Sequence, residues 1–201
     1  MDRIKAAADT LRGSGMDVTL SMIDLAPIAV DIAQSIVSGF PTPKVQEAIE
    51  RLAAADAVIA STPVYKAGIS GLFKSFADLI DNDLLIAMPV ILAATGGSAR
   101  HAMVVDEQMR PLFAFLRAIP VPTSLYAAPE DWGATDLGKR VARAAIELAL
   151  LLRSGAPRAI SADNWDGYQH RFAGNATAAG RDIDGVDFSS DLMRLAAGGS
   201  A

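Results

Sequence analysis

No cysteine occurs among the 201 residues, which excludes disulfides, thiolate zinc sites and a cysteine nucleophile. Histidine is nearly as scarce, with two copies, so a metal would rest on carboxylates, and no acidic spacing suggests such a site. Basic residues number 18 against 23 acidic ones, a formal net charge of −5, and a nucleic-acid footprint needs a clustered basic face instead. No apolar run approaches a membrane span, so no membrane partner is expected. The opening MDRIKAAADTLRGSG is a charged helical pattern rather than a secretory signal. Absent cysteine fits a reducing compartment, and a soluble cytoplasmic protein is expected. What the chain does have is apolar content: 51% hydrophobic over 201 residues suits one core that needs no staple.

Hydrophobic spacing predicts a helix over Ile4–Leu11, stopped by Gly13-Ser14-Gly15. Asp17–Asp24 alternates apolar and polar residues and predicts a strand. A short helix over Ala29–Val37 follows, then a break at Gly39-Phe40-Pro41. Thr42-Pro43 offers an N-cap and an N1 proline to a helix with the stripe Val45, Ala48, Ile49, Leu52. Ala57–Ala60 and Pro89–Ala94 are strands, the second unbroken in apolarity as in a parallel sheet covered on both faces. Helices are predicted from Ser70 or Gly71 to Ile80, from Val104 to Ala118 with a disturbance at Pro111, and over Thr135–Leu152. Val121–Ala127 is a further strand. The order βαβαβαβα implies an α/β fold with a mostly parallel sheet. Residues 1–154 form the domain, and 155–201 a C-terminal arm or extension in which only Ser189–Leu195 looks helical.

Two stretches at strand ends share a composition, Thr62–Ser70 and Thr95–His101. In an open parallel sheet, ligands collect outside the carboxyl ends of the strands. Glycine lets backbone approach a flat ligand closely. Tyr65 offers an aromatic face and Lys66 a positive charge, a pair suited to a conjugated ring that gains electrons.

PVYKAGISGLFKSFAD and ATGGSARHAMVVDEQMRPLFAFLRA together resemble NAD(P)H-dependent FMN reductases of the flavodoxin-like superfamily. The likeness extends through IPVPTSLYAAPEDWG and is nearest to the reductases that supply reduced FMN to flavin-dependent monooxygenases. It implies a flavodoxin-like three-layer sandwich, FMN as cofactor and NADH or NADPH as co-substrate. It implies that Pro63, Val64, Tyr65, Lys66 and Ala67 line the isoalloxazine edge and face. It implies too that Thr95, Gly96 and Gly97 offer backbone N–H groups to the pyrimidine end, where charge develops on reduction. No catalytic acid or base is implied, because hydride passes from nicotinamide to flavin. A homodimer or tetramer is implied, with the apolar helix Gly71–Ile80 in its interface.

One departure is visible. Family members open with a buried strand and a phosphate-binding loop, and Met1 here aligns inside the helix that follows them. A sheet with its first strand missing is therefore expected. The alternative function is a non-catalytic flavodoxin-like subunit, or a truncated remnant that has lost tight FMN binding. Away from the motifs the plain readings prevail. Arg100 and Arg110 read as solvated cations, His101 and His170 as structural or solvated, Asp78, Asp81 and Asp83 as a helix-end cluster, and Trp132 and Trp165 as packing.

Overall fold

In the computed structural model, residues 2–132 and 134–163 are described; His170, Trp165 and the expected helix Ser189–Leu195 lie outside them. Strand β1 (Val58–Tyr65) runs parallel to β3 (Pro89–Thr95), in register from Val58↔Val90 to Pro63↔Thr95. The other edge of β3 carries β4 (Ile119–Pro120) and β5 (Leu125–Ala127), both parallel to it. Strand β2 (Gly68–Ile69) folds back on the end of β1, pairing Val64 with Ile69 and Tyr65 with Gly68.

The alternation of β3 separates two cores. Val90 and Leu92 face one cluster with Ile32, Val45, Ile49, Phe76, Met109 and Phe113. Ile91 faces the other with Val121, Val141, Ala145 and Leu148, and with Ala7 and Leu11. Helices α2 (Ala29–Ser38), α3 (Pro43–Ala53) and α4 (Gly71–Ala77) cover the first face. Helices α1 (Asp2–Gly13) and α6 (Thr135–Ser154) cover the second. Each buried aliphatic side chain of the central strand contributes roughly 1.5–3 kcal/mol, which is why its sequence is apolar without interruption. The result is the α/β fold that the order of elements implied, in the flavodoxin-like three-layer form that the resemblance implied.

Several local expectations are corrected. Residues 16–24 form no strand. Alternation reports burial, and a strand also needs a ladder partner; among the described residues none pairs with this segment. It runs across the protein instead, with Val18 packed against one core and Ile23 against the other. Arg51 Nη2 fastens it, donating to Ser21 Oγ at 2.9 Å and to the Met22 carbonyl at 2.7 Å. Along Val58–Pro63 the edge of β1 away from β3 consequently has no neighbouring strand among the described residues.

The helix predicted from 104 to 118 is two pieces. A π turn spans Val105–Met109, and α5 covers Arg110–Phe115. The Arg110 N–H reaches back to the Val105 carbonyl, so the chain takes up one extra residue before Pro111. Pro111 then sits in the first turn of α5, where its missing N–H costs nothing. Helix α4 stops at Ala77, before the predicted Ile80. Of the strand predicted over Val121–Ala127 only β5, Leu125–Ala127, forms; β4, Ile119–Pro120, precedes the predicted start, and Pro122 between them lacks a donor for the ladder. There the Glu147 carboxylate accepts from Thr123 N–H at 2.8 Å and from Thr123 Oγ1 at 2.7 Å. A helix unforeseen from composition, α7 (Ala156–Asp163), continues after Gly155.

Candidate functional site

The first candidate stretch is more ordered than a loop. Residues 61–65 belong to β1, and the whole connection to β2 is Lys66-Ala67. A two-residue hairpin needs a primed turn with positive φ at both central positions, normally filled by Asn or Gly. Here Lys66 has φ 50° and Ala67 φ 63°. A side chain in this left-handed region costs about 1–2 kcal/mol per residue, so the tight turn holds two strained residues at its tip. Tyr65, 65% exposed, stands just before them.

Fastenings beneath and beside the turn hold it. Thr62 is 1% exposed; its Oγ1 accepts the Ser70 N–H at 3.1 Å and lies 3.2 Å from Ser70 Oγ. Ser70 in turn caps α4 by accepting the Phe73 N–H at 3.2 Å. This pair ties β1 to the helix that leaves the hairpin. From the π turn, Gln108 donates its Nε2 to the Ala67 carbonyl at 3.2 Å and accepts the Ile69 N–H at 3.1 Å through Oε1.

The second stretch leaves the end of β3 beside the first, because Pro63 and Thr95 are register partners. Gly96 donates its N–H to the Ala127 carbonyl at 3.0 Å. A Cβ on Gly96 would overlap the Tyr126 hydroxyl, whereas one on Gly97 would meet nothing. The buried Tyr126 donates its hydroxyl to the Ser98 carbonyl at 2.6 Å. Burial, and then the charges of Glu130 and Asp131, push the Tyr126 phenol up from its ordinary value, against the opposite pull of the Ser98 contact. It stays a neutral donor. Ser98 Oγ accepts the Arg100 N–H at 3.3 Å as the chain enters a 3-10 turn, Ala99–His101.

A third group connects the π turn to β5. Arg110 donates through Nε to Asp106 at 2.9 Å and through Nη2 to Ser124 Oγ at 2.6 Å; Ser124 Oγ donates to the same Asp106 oxygen at 2.6 Å. Partial burial alone would raise the Asp106 carboxyl, but the Ser124 and Arg110 hydrogen bonds and the Arg110 charge together hold it below its ordinary value. Arg110, read from sequence as a solvated cation, is thus structural.

All eight residues singled out from the sequence fall in two adjacent segments. Pro63, Val64, Tyr65, Lys66 and Ala67 make the hairpin, and Thr95, Gly96 and Gly97 make the neighbouring turn. Gln108 and Tyr126, which hold the two segments, lie within the stretches that carry the resemblance but are not among those eight; each lies 28 to 41 residues from the backbone it bonds. A cavity of about 190 Å³ lies against Ile23, Asp24, Lys44, Glu47 and Arg51 and shares no residue with either segment. It is smaller than the roughly 300–1,000 Å³ of small-molecule sites, and the paired turns are the better candidate.

The backbone geometry suits the ring end of a flat cofactor: two turns meet at the carboxyl edge of parallel strands, and one of them has glycines without side chains in the way. Among the described residues no group of three or more His, Asp or Glu is placed to hold a metal ion. No helix of the described residues is long and apolar enough to cross a membrane.

The family model for NADPH-dependent FMN reductase matches residues 3–133. A curated FMN reductase (NADPH) of Pseudomonas aeruginosa is 36% identical over 137 residues, covering 68% of this chain and 74% of the relative. The NADH-dependent FMN reductase SfnE of Pseudomonas putida is 38% identical over 139 residues, covering 69% and 72%. The crystal structure of an oxidoreductase from Corynebacterium diphtheriae superposes with a TM-score of 0.72 at 40% identity, over 76% of this chain and 85% of that one. A WrbA-like flavodoxin from Agrobacterium tumefaciens shares the fold, with a TM-score of 0.52 at 20% identity over 76% and 88%.

Proposed function

The chain belongs to the NADPH-dependent FMN reductase family, and on that premise we propose that it reduces FMN with NAD(P)H at the paired turns of its sheet edge. When bound, FMN supplies a hydride acceptor and the nicotinamide a hydride donor. The protein's part is to hold flat surfaces in order. Lys66 brings positive charge to the rim, and Tyr65 a planar, exposed face. The expectation that Gly96 lends its N–H to the ring is corrected, since that group is taken by the Ala127 carbonyl. Within the Thr95–Gly97 turn the Gly97 N–H is the donor assigned to charge that develops at the ring's pyrimidine end. Pro63, Val64 and Ala67 set the backbone course along the ring edge. No side chain is assigned a proton-transfer role. The single observation supporting the site is the Pro63↔Thr95 register, which brings two distant sequence segments side by side.

Three finer statements belong to the same reading. Reduced flavin passes to a flavin-dependent monooxygenase, the setting of the subgroup that the PVYKAGISGLFKSF and ATGGSARHAM motifs resemble. The chain works as a homodimer, an assignment favoured by Met103, just before the π turn, and Phe115, at the end of α5, exposed at 56% and 66%. Of the helix once assigned to that interface, Phe73 is engaged inside the chain against Phe113, ring centres 6.5 Å apart. Its cellular place is the cytoplasm. Adding FMN to purified protein and following quenched flavin emission with NADH or NADPH oxidation tests the activity; light scattering tests the dimer.

A further inference from the structure

The edge of β2 ends in a side chain rather than in a strand. Ala67 C=O and Ile69 N–H are backbone groups two residues apart on one strand edge, the pair that a neighbouring peptide would bond. Gln108 bonds both, one through each end of its carboxamide, at 3.2 and 3.1 Å. A carboxamide has the donor and acceptor of a peptide group, so it stands in for one unit of a further strand. Its Oε1 also lies 3.1 Å from where a Cβ on Gly68 would sit, so the contact is close along the whole turn.

The aim of Gln108 comes from the π turn. Gln108 sits inside the widened turn Val105–Met109, which presents its carboxamide to the hairpin. The same turn is anchored on its far side by Asp106 and Arg110 to Ser124, one residue before β5. Strand β5 carries Tyr126, which holds Ser98 of the second segment. Three sets of hydrogen bonds, Gln108 to the hairpin, Asp106 and Arg110 to Ser124, and Tyr126 to Ser98, are therefore joined by the backbone of the π turn and of Ser124–Tyr126 into one connection between the Lys66-Ala67 turn and Ser98.

We propose that Gln108 is a positioning residue that fixes the strained Lys66-Ala67 turn at a set distance from the Thr95–Ser98 turn, and so sets the slot that receives the flavin ring. This rests on the reading of the paired turns as the ring site. Gln108 need not touch the ligand. Its effect passes through the turn's backbone.

The test compares wild type with Gln108→Ala and Gln108→Glu by amide hydrogen exchange, FMN titration and steady-state kinetics. In Gln108→Ala the Ile69 amide exchanges roughly tenfold faster. FMN binding weakens about five- to tenfold, as loss of one or two net hydrogen bonds to the turn allows. The effect falls on KM for FMN, and kcat at saturation stays within about twofold. Gln108→Glu keeps an acceptor for Ile69 and loses the donor to Ala67, so Ile69 remains protected while FMN binding still falls. Unchanged exchange at Ile69 in Gln108→Ala overturns the clamp, whatever the flavin does. Faster exchange with unchanged FMN affinity overturns its role in positioning but leaves the ring site standing. A wild-type protein that fails to quench FMN at all overturns the ring site and the slot together.

Discussion

Tyr126 donates its hydroxyl to the carbonyl of Ser98, 28 residues earlier in the chain, at 2.6 Å. The bond crosses from the last described strand to the turn after β3, and it passes directly behind Gly96. One phenol thus fixes the course of the second turn. Replacing Tyr126 by Phe keeps the ring packing and removes the donor. The loss is expected to cost about 1 kcal/mol of stability, with the Ser98 carbonyl left to find water. FMN affinity falls in step. Chemical denaturation and fluorescence titration of the same preparation measure both.

Gly96 and Gly97 are adjacent but face different surroundings. A methyl on Gly96 overlaps the Tyr126 hydroxyl, while one on Gly97 enters open space. Gly96→Ala is expected to destabilise the fold by roughly 1–3 kcal/mol, as overpacking does. Gly97→Ala leaves the melting temperature near that of the wild type and lowers FMN affinity, because its methyl stands where a ring is to lie. Thermal melts of the two variants should differ clearly.

The hairpin tip stores strain that one substitution can release. Ala67 sits at φ 63° with a Cβ. Glycine there removes about 1–2 kcal/mol of steric cost and adds about 0.5–1 kcal/mol of chain entropy in the unfolded state. Ala67→Gly is therefore expected to be slightly more stable than wild type. A drop in the denaturation midpoint would mean the turn is not strained.

Acid should loosen the π turn. Asp106 is held below its ordinary value by Ser124 and Arg110, despite the opposing effect of burial. A carboxyl depressed in the folded state stabilises the protein fully above its unfolded value, about 3.9, and loses that contribution as pH falls through the folded value. Asp106→Asn should be less stable than wild type at neutral pH. The gap should start to narrow as pH drops below about 4 and close only once pH has fallen through the lower folded value, where both side chains are uncharged. Melting curves across that range read it directly.

The layers and the order of elements were legible because they follow from periodicity. The apolar run of β3, the Thr42-Pro43 start of α3 and the stripes of α3 and α6 all appear as expected. Segment 17–24 misled because alternation encodes which side chains are buried, and not whether a neighbouring backbone is present to pair. The stretch from Ser61 to Tyr65 looked like a loop because Pro63 is rare in central strands, yet proline is tolerated where one strand edge is left unpaired. Pro111 signalled a disturbance correctly, but nothing local distinguishes a kink from the π turn that absorbs it. Gln108 and Tyr126 could not be found from spacing, since each acts on backbone brought near only by the sheet and the π turn.

The most direct test of the flavin site is a titration of FMN into wild type and Lys66→Ala, followed by mixing with NADH or NADPH. Quenched emission and nicotinamide oxidation by wild type, with binding or turnover weakened by about an order of magnitude in Lys66→Ala, is the predicted result. A folded wild-type protein that neither quenches FMN nor oxidises either nucleotide would contradict the account.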